Sequence, residues 1–384
     1  MMAKIKDICT INPKGITLED DLEVSFVPMP RVGEQGEFDP SEIRTYREVK
    51  KGFTNFQNGD VLFAKITPCM ENGKGAIAKS LKNGYGFGST EFHVLRPDYC
   101  KVTSEWLYYL TSWSAFRKEA EINMTGSAGQ KRVPKTFLEN YEVNLPEIQK
   151  QKEMADTLDQ IGKLIALRKE QLAKLDQLVK SRFIELFGDC NKQTSIKESG
   201  LTISDGNYSS KYPRSEEFVE SGIPFIRANN LRNGTVVDED MYFITPEKHA
   251  ILLKGHLKPN DVLITTRGNI GQVAIVPDKH NDSNINAQIV LLREEKGRFV
   301  PLYLLWALQT ERVKSQYIEL QTGTALKQLP VGRLEQVIIK EPPIDTQKQF
   351  AAFVAQTDKS KLAIQQSLDK LETLKKSLMQ EYFG

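Results

Sequence analysis

The chain contains one structural unit twice, and this repeat limits the folds it can adopt. Residues 145–158 read LPEIQKQKEMADTL, and residues 342–354 read PPIDTQKQFAAFV. A shift of 196 residues carries Gln151 to Gln347 and the pair Phe187–Gly188 to the final pair Phe383–Gly384. Upstream, TGSAGQKRVP (125–134) resembles TGTALKQLP (322–330), and GDVLFAKI (59–66) resembles NDVLITTR (260–267). A repeat of this kind indicates a duplicated unit, here a variable globular part followed by a helical part.

Each copy ends in a long apolar pattern with steps of four and three residues. In the first copy the pattern runs through Met154, Leu158, Ile161, Ile165, Arg168, Leu172, Leu175, Val179, Arg182 and Leu186. In the second it runs through Phe350, Val354, Thr357, Lys361, Ile364, Leu368, Leu371, Lys375, Leu378 and Tyr382. Spacing near 3.5 residues predicts a coiled coil of two helices, each about 40 residues or roughly 60 Å long. We expect antiparallel packing and a pseudo-two-fold axis.

The globular parts predict short strands followed by a helix. In the first, DVLFAKI, GAIAKS and TEFHVLRP are typical of strands, and 104–120 predicts one amphipathic helix. In the second, IPFIRANNL, DVLITTR, QVAIVP and NAQIVLLR precede a helix within 301–317. The predicted fold class is α+β, with two α/β domains separated by the two long helices. The expected boundaries are 1–145 and 189–341 for the domains, and 146–188 and 342–384 for the helical spacers.

Composition excludes several classes of protein. Forty per cent of the 384 residues are apolar and 27 % are charged, without an apolar run near the 20 residues that cross a bilayer. The four cysteines are scattered, which favours the reducing cytoplasm over a disulfide framework. The four histidines are not spaced as a metal cluster, so we predict no metal site and no membrane partner. The net charge of +2 neither supports nor excludes binding to nucleic acid.

Sequence motifs for catalysis are weak. GYGFGS (84–89) leads into a strand, whereas a dinucleotide or S-adenosylmethionine loop opens a helix. EPPI (341–344) lacks the amide and the aromatic residue of an adenine methyltransferase motif. Asp278, Glu294 and Lys296 have nuclease-like spacing, and this alternative predicts Mg²⁺-dependent cleavage by the chain alone. We predict that the chain is not an enzyme.

Polar clusters at strand ends favour DNA binding instead. In NDVLITTRGNIGQVAIV (260–276), two β-branched runs flank a turn with Arg267 and Asn269, which predicts a hairpin. A hairpin tip fits the major groove, where arginine, lysine and amide side chains distinguish base edges. One such cluster is more often a solvated loop, but recurrence in both copies favours DNA. The competing interpretation is a coiled-coil scaffold for protein–protein interactions, which predicts no salt-dependent DNA binding.

The order of these elements resembles the specificity (S) subunit of type I restriction–modification systems. LPEIQKQ and PPIDTQKQ open the two helices, and GIPFIRANNL, DVLITTRGNIG and NINAQIVLLR are similar to that family's target recognition domains. The resemblance implies a non-catalytic reader of double-stranded DNA, in which each domain binds half of a split, asymmetric site and the helices set the gap. It implies two modification subunits that carry S-adenosylmethionine, and restriction subunits that use ATP and Mg²⁺. This chain itself would hold no cofactor.

Candidate DNA contacts follow from side-chain chemistry. The candidate base readers are Arg267 and Lys65 for guanine, Asn229, Asn269, Asn286 and Gln288 in the second domain, and Ser89, Thr90 and Glu91 in the first. The candidate phosphate contacts are Lys74, Lys131, Arg132, Lys211, Arg232 and Lys327. Further candidate DNA-binding residues are Thr67, Tyr208, Tyr212, Arg227, Thr265 and Thr266. The alternative for Arg267 is a salt bridge that stabilises its turn.

Overall fold

The computed structural model describes residues 1–127, 129–208, 211–324 and 326–384, which form two compact units. The first unit comprises Met1–Glu170 with Gln365–Gly384, and the second comprises Gln171–Ile364. The two long helices are Ile148–Phe187 and Ile344–Phe383, each 40 residues, and they begin and end 196 positions apart. Each helix therefore contributes one half to each unit. The boundaries predicted from the sequence follow the helix ends instead, so they describe the repeat rather than the compact units.

The first unit contains two four-stranded sheets and a short ladder. The antiparallel sheet has the order Cys9–Ile11, Phe92–Pro97, Val61–Ala64, Gly75–Ile77. The mixed sheet has the order Ile43–Thr45, Glu23–Val27, Tyr85–Gly88, Thr54–Gln57, and its two middle strands run parallel. Met2–Lys4 pairs with Glu142–Asn144. The helices are Ile5–Ile8, Tyr46–Val49, Ser104–Ser112, Ser114–Ile122 and Lys135–Asn140, with 3₁₀ turns at Met29–Arg31 and Lys82–Gly84.

The strand Val61–Ala64 is buried on both faces, which explains its unbroken apolar sequence. Because successive side chains of a strand point to opposite faces, its residues enter two separate clusters. Val61 and Phe63 pack with the helices, whereas Leu62 and Ala64 pack against the mixed sheet. The antiparallel sheet that contains this strand therefore forms the middle layer of the first domain, between the helices and the mixed sheet.

The second unit repeats this plan, but its two sheets have six and three strands instead of four and four. Its large sheet has the order Thr202–Asp205, Ile289–Arg293, Val262–Thr265, Val273–Ile275, Thr235–Val236, Leu231–Arg232. Its small sheet has the order Tyr242–Ile244, Ile223–Ile226, Asn284–Ile285, and Gln193–Ser195 pairs with Ile338–Lys340. The helices are Pro246–Ile251, Pro301–Ala307, Glu311–Leu320 and Val331–Leu334, with 3₁₀ turns at Ser215–Glu217, Ala228–Asn230 and Asp278–His280. Val262 and Ile264 pack with the helices, and Leu263 packs with the small sheet.

The same buried ion pair fixes the middle strand of each domain. Asp60 is 2 % exposed, and its two carboxylate oxygens accept hydrogen bonds of 2.8 and 2.7 Å from Arg96. Asp261 is 1 % exposed and accepts two bonds of 2.7 Å from Arg293. Because the pair is bidentate and buried, it holds the start of the middle strand against its neighbour.

The helix predicted over 104–120 is wrong as one element, because it is broken at Trp113. Trp113 has extended backbone angles (φ −65°, ψ 133°), and its indole is buried beside Phe383. The helix predicted within 301–317 is also two helices in the structure. The first ends at Ala307, and the second begins at Glu311. One straight helix was expected in each domain. Because the helix is broken, two short helices pack against the antiparallel sheet of the first unit and the large sheet of the second.

The long helices pack antiparallel within each unit, as predicted. In the first unit Met154 and Leu158 share a buried cluster with Met379, and Lys169 forms a 2.9 Å ion pair with Glu372. In the second unit Phe183 and Phe187 pack on Phe350, and Lys361 pairs with Asp176 at 2.6 Å. Opposite ends of the two helices therefore meet in both units.

The predicted apolar seam is wrong at the end of the first helix. Arg182 and Leu186 were expected at the seam, but the buried residues there are Phe183 and Phe187, and Arg182 pairs with Glu185. A straight α-helix with 3.6 residues per turn drifts from a 3.5-residue repeat, so the buried face moves by one position. Among the described residues, the helices are too short or too polar to cross a bilayer.

Candidate nucleic-acid interface

Three segments of the second domain meet where the strand Val262–Thr265 ends. The backbone N–H of Thr266 donates to the carbonyl of Gln288 at 2.8 Å, and that of Leu329 donates to the carbonyl of Thr266 at 2.8 Å. Arg267 forms an isolated antiparallel bridge with Gln328. We call the segments 265–269, 286–288 and 326–329 the second junction.

The first domain has a junction with the same backbone bonds. The N–H of Lys65 donates to the carbonyl of Glu91 at 2.9 Å, and that of Val133 donates to the carbonyl of Lys65 at 2.8 Å. Ile66 forms an isolated bridge with Arg132. We call the segments 65–67, 89–91 and 131–133 the first junction.

The two junctions share a backbone frame but carry different side chains. The bonding pattern matches Lys65 to Thr266, Ile66 to Arg267, Glu91 to Gln288 and Arg132 to Gln328. This correspondence is the one given by comparing GDVLFAKI (59–66) with NDVLITTR (260–267), which pairs Lys65 with Thr266. A constant frame with variable side chains is the arrangement expected of two readers with different targets.

Two threonines build the turn of the second junction from inside. Thr265 is fully buried, and its hydroxyl donates to the carbonyl of Asn269 and accepts from the N–H of Gln272 at 3.0 Å. Thr266 is 4 % exposed and its hydroxyl donates to the carbonyl of Gln288. The structure therefore argues against direct DNA contacts by these two hydroxyls, because the main chain already occupies them. Gly268, at φ 72°, completes the turn in the left-handed region.

Arg267 leaves this turn without a carboxylate partner. Its guanidinium carbon lies 4.8 Å from the ring centroid of Tyr208, a cation–π distance. Across the four described ranges, no carboxylate lies within ion-pair distance of Arg267, so the salt-bridge alternative has no partner there. Tyr208 donates its hydroxyl to the carbonyl of Ala287, and burial raises the pKa of its phenol. The guanidinium is held in place by an aromatic ring while its charge stays available.

The amides of the second junction have different exposures. Asn286 is 5 % exposed; its Oδ1 accepts from the N–H of Gln288 at 3.1 Å and its Nδ2 donates to Oε1 of Gln288 at 3.2 Å. Gln288, Asn269 and Lys327 are exposed. The placement of Asn286 favours a role in orienting Gln288 over a direct base contact.

Glu91 and Arg132 form a bidentate pair in the first junction. Oε2 and Oε1 of Glu91 accept bonds of 2.9 and 2.8 Å from Arg132. This guanidinium lowers the pKa of the Glu91 carboxyl, which is therefore ionised at neutral pH. Because both carboxylate oxygens already accept from Arg132, a cytosine would have to share Glu91 with this guanidinium.

The remaining candidates of the first domain divide between exposed and occupied side chains. Thr90 and Lys131 are exposed, and within the described chain the ammonium groups of Lys65 and Lys131 have no hydrogen-bond or ion-pair partner. Ser89 accepts from the N–H of Glu91 at 3.2 Å. Thr67 lies 3.4 Å from Glu71, and Lys74 donates to the carbonyl of Met29 at 3.4 Å.

Five further candidates of the second domain lie outside the second junction. Arg227 stacks on Tyr242 at 3.4 Å and donates to the carbonyl of Asp240, and Arg232 pairs with Glu239 at 2.6 Å. These contacts direct both guanidinium groups toward residues 239–242. Tyr212 packs on Phe225, and burial raises the pKa of its phenol; Asn229 and Lys211 are exposed. Ser209 and Ser210, in the polar cluster 207–213, lie outside the described residues.

The residues with nuclease-like spacing do not form a free carboxylate cluster. Glu294 accepts from the N–H groups of Lys296 and Phe299, so both of its oxygens serve a turn. Lys296 lies against Gly200. The glycine-rich stretch near residue 86 is the strand Tyr85–Gly88, which agrees with rejecting it as a cofactor loop.

Sequence reasoning missed the role of Gln328 as the partner of Arg267. The repeat contained a signal for it, because Arg132 and Gln328 precede Val133-Pro134 and Leu329-Pro330. Aligning these two tripeptides matches Gln328 with Arg132. Gln328 therefore takes in the second junction the place that Arg132 has in the first.

Comparison with known proteins agrees with this duplicated architecture. Residues 1–177 and 201–375 match the family model of the type I restriction modification DNA specificity domain. The EcoAI specificity subunit of Escherichia coli is 41 % identical over 205 residues, which is 52 % of this chain and 34 % of that protein. The match thus spans about a third of that relative's length.

Two solved structures have a similar fold over the full chain. A chain from a structure of a type I R-M system, concerned with complex assembly and conformational transition, has a TM-score of 0.65 at 16 % identity and covers 100 % of this chain and 97 % of its own. The S subunit of the type I restriction–modification system from M. genitalium has a TM-score of 0.55 at 14 % identity, covering 100 % and 96 %. With two matches of the family model over most of its length, the chain belongs to the specificity-subunit family of type I restriction–modification systems.

Proposed function

We propose that this chain is the non-catalytic subunit that gives a type I restriction–modification complex its DNA sequence specificity. Each domain reads one half of a split, asymmetric site in double-stranded DNA. The observation that carries the proposal is the repeated junction: two backbone frames with the same pairings between their three segments present different polar side chains.

The second junction has the chemistry of a guanine reader. Arg267 carries a charge without a described carboxylate partner, and its side chain stacks on Tyr208. Such an arginine can donate two hydrogen bonds to O6 and N7 of guanine. Gln288, oriented by Asn286, supplies an amide that can pair with the N6 and N7 atoms of adenine.

The first junction favours a different contact. Because Glu91 is bound to Arg132, the unpaired cations Lys65 and Lys131 are better placed to approach DNA. Lysine contacts to phosphates fix position, while Ser89 and Thr90 offer hydroxyls for base edges. The two domains would therefore read unrelated half-sites.

The long helices would set the gap and bind the partner subunits. Half-sites on one face of the duplex are separated by whole turns of about 34 Å, and a helix of 40 residues is roughly 60 Å long. The helices also expose large apolar side chains, namely Leu164, Leu167, Leu178, Ile184, Leu362 and Leu374. Exposed apolar patches mark protein interaction sites, and two modification subunits would cover them.

Chemistry would belong to those partners, in the cytoplasm where the DNA substrate lies. Modification subunits would bring S-adenosylmethionine for N6-adenine methylation, and restriction subunits would bring ATP and Mg²⁺. The base to be methylated must leave the stack, so the specificity subunit would hold the flanking duplex while this happens.

Selection from a pool of random duplexes tests the proposal. The complex of this chain with its modification subunits is incubated with the pool at rising salt, and the retained DNA is sequenced. We expect two short blocks of preferred bases at a fixed separation, with affinity that falls as salt increases. Absence of salt-dependent DNA retention, or retention without sequence preference, would favour the protein–protein scaffold instead.

A further inference from the structure

Two of the four histidines of the chain meet one carboxylate in the second domain. His249 lies on the short helix Pro246–Ile251, His256 follows that helix, and Asp282 lies just before the strand Asn284–Ile285. Nε2 of His249 and Nδ1 of His256 each lie 3.3 Å from Oδ1 of Asp282. The three atoms all lie within 4.8 Å of one another.

The bonding of His256 leaves a lone pair directed at this carboxylate. Its Nε2 is bonded to the carbonyl of Leu252, which can only accept, so Nε2 carries the hydrogen. In the neutral ring, Nδ1 then has a lone pair, and Nδ1 faces Oδ1 of Asp282. Two atoms that both offer electron pairs repel one another unless a proton or a metal cation lies between them.

His249 is a buried side chain at the same place, and its ring nitrogens are poorly satisfied. It is 7 % exposed, and apart from the 3.3 Å approach of Nε2 to Asp282 neither of its ring nitrogens has a polar partner in the described structure. Leaving a buried polar atom unpaired costs free energy. A cation bound at Nε2 would remove part of that cost.

Two of the three ligand-atom separations match tetrahedral zinc, and the third, between the two histidine nitrogens, is below 4.8 Å. Zinc–nitrogen and zinc–oxygen distances of about 2.0–2.1 Å place neighbouring ligand atoms roughly 3.3–3.4 Å apart in a tetrahedron. Each histidine nitrogen lies 3.3 Å from Oδ1 of Asp282. The geometry points to a zinc site made by His249, His256 and Asp282, with water as the fourth ligand.

The surroundings of the site also suit a metal. Metal-binding histidines usually donate their second ring N–H to a carbonyl, as His256 does to Leu252. The Asp282 side chain is 67 % exposed, which gives an ion access from solvent. Sequence spacing did not predict this site because its ligands come from separate segments that only the fold brings together.

Zinc here would brace the segment that leads into the second junction. The N–H of Asp282 donates to the carbonyl of Leu257 at 2.8 Å, and Nδ2 of Asn284 donates to the carbonyl of Lys254 at 3.2 Å. Asn286 and Gln288 follow directly. The effect on DNA reading rests on the proposed function, whereas zinc binding itself does not.

Zinc content of the tag-free, full-length chain tests the inference. The protein is treated with a chelator, dialysed against zinc, and then freed of excess metal. Its zinc content is measured by inductively coupled plasma mass spectrometry. We expect about one zinc per wild-type chain and a loss of most of it in His249→Gln and Asp282→Asn. His280→Gln is the matched control, because His280 is 3 % exposed and lies 3.0 Å from Asp238, yet it stands outside the cluster.

Circular dichroism and thermal unfolding separate loss of zinc from loss of fold. We expect Asp282→Asn to stay folded, because its side chain is largely exposed, and zinc to raise the Tm of the wild type but not of this variant. A folded wild-type chain that retains no zinc overturns the inference, as does an Asp282→Asn chain that retains as much as the wild type. Either result leaves the proposed DNA recognition intact, because selection from random duplexes measures that separately.

Discussion

Gln347 makes in the second domain the hydrogen bonds that Gln151 makes in the first. Both side chains are fully buried. Oε1 of Gln151 accepts from the N–H of Thr103 at 2.9 Å, and Oε1 of Gln347 accepts from the N–H of Val300 at 2.8 Å. Each amide nitrogen donates to two carbonyls, those of Lys101 and Pro146 or those of Arg298 and Pro342. The repeated glutamine thus locks the start of each long helix onto its own domain.

Replacing Gln151 with leucine should destabilise the protein by about 3 kcal/mol or more, because three buried backbone groups lose their partner. Urea unfolding of the full chain measures this change. Gln149→Leu is the control on the same helix, since Gln149 is exposed and bonds only to Glu153. Equal stability of the two variants would show that the buried amide does not lock the helix.

Stability should fall in mild acid because of His93. Its ring is 4 % exposed, and desolvation lowers the pKa of the imidazole from 6.5 to about 4. The unfolded chain therefore takes up a proton near pH 6.5 that the folded chain refuses until about pH 4. The contribution of His93 is complete above pH 6.5 and is lost as the pH falls toward 4, about 3 kcal/mol in all.

Urea unfolding across this pH range, in the wild type and in His93→Gln, isolates that contribution. The variant should have a flatter dependence of the free energy of unfolding on pH. An unchanged slope would assign the acid sensitivity to other groups.

Arg267→Ala should change the base preference of one half-site only. Loss of a bidentate arginine–guanine contact corresponds to a decrease of about tenfold to a hundredfold in affinity for the preferred duplex. Lys327→Ala is the comparison, because a phosphate contact weakens all sequences alike and lowers the salt slope by about one. An Arg267→Ala complex that selects the wild-type bases would remove this residue from the readers.

Ile184→Glu should weaken binding of the modification subunits without unfolding the chain. Ile184 lies on the first long helix and is 68 % exposed, so a charge there meets solvent in the free chain and an apolar surface in the complex. Co-purification of the partner measures the effect. Leu253→Glu is the control, because Leu253 is 79 % exposed but lies outside the long helices. Full retention of the partner by Ile184→Glu would place the docking surface elsewhere.

The sequence predicts the long helices well because their pattern is local and repeated. The expected spacers 146–188 and 342–384 contain helices over Ile148–Phe187 and Ile344–Phe383. The strands around Val61 and Val262 were predicted for the same reason, since both are continuous apolar runs between turns. The break at Trp113 was not, because tertiary burial of the indole beside Phe383 has no signature in local spacing.

The candidate sites were harder to predict, because their roles depend on contacts between distant segments. Glu91 and Arg132 are 41 residues apart in the chain, and only the fold shows that they form an ion pair. The inward orientation of Thr265 and Thr266 depends on carbonyls of the neighbouring segments. A list of polar residues near strand ends therefore contains both readers and the residues that hold the readers in place.

A genome-wide map of N6-methyladenine tests whether this chain determines which DNA sequence is methylated. A host without adenine methylation expresses this chain together with the modification subunits, and single-molecule sequencing locates every methylated adenine. We expect one split, asymmetric motif with a fixed gap, which is absent without this chain and is altered in only one half by Arg267→Ala. Methylation at a continuous site, or methylation that persists without this chain, would contradict this expectation.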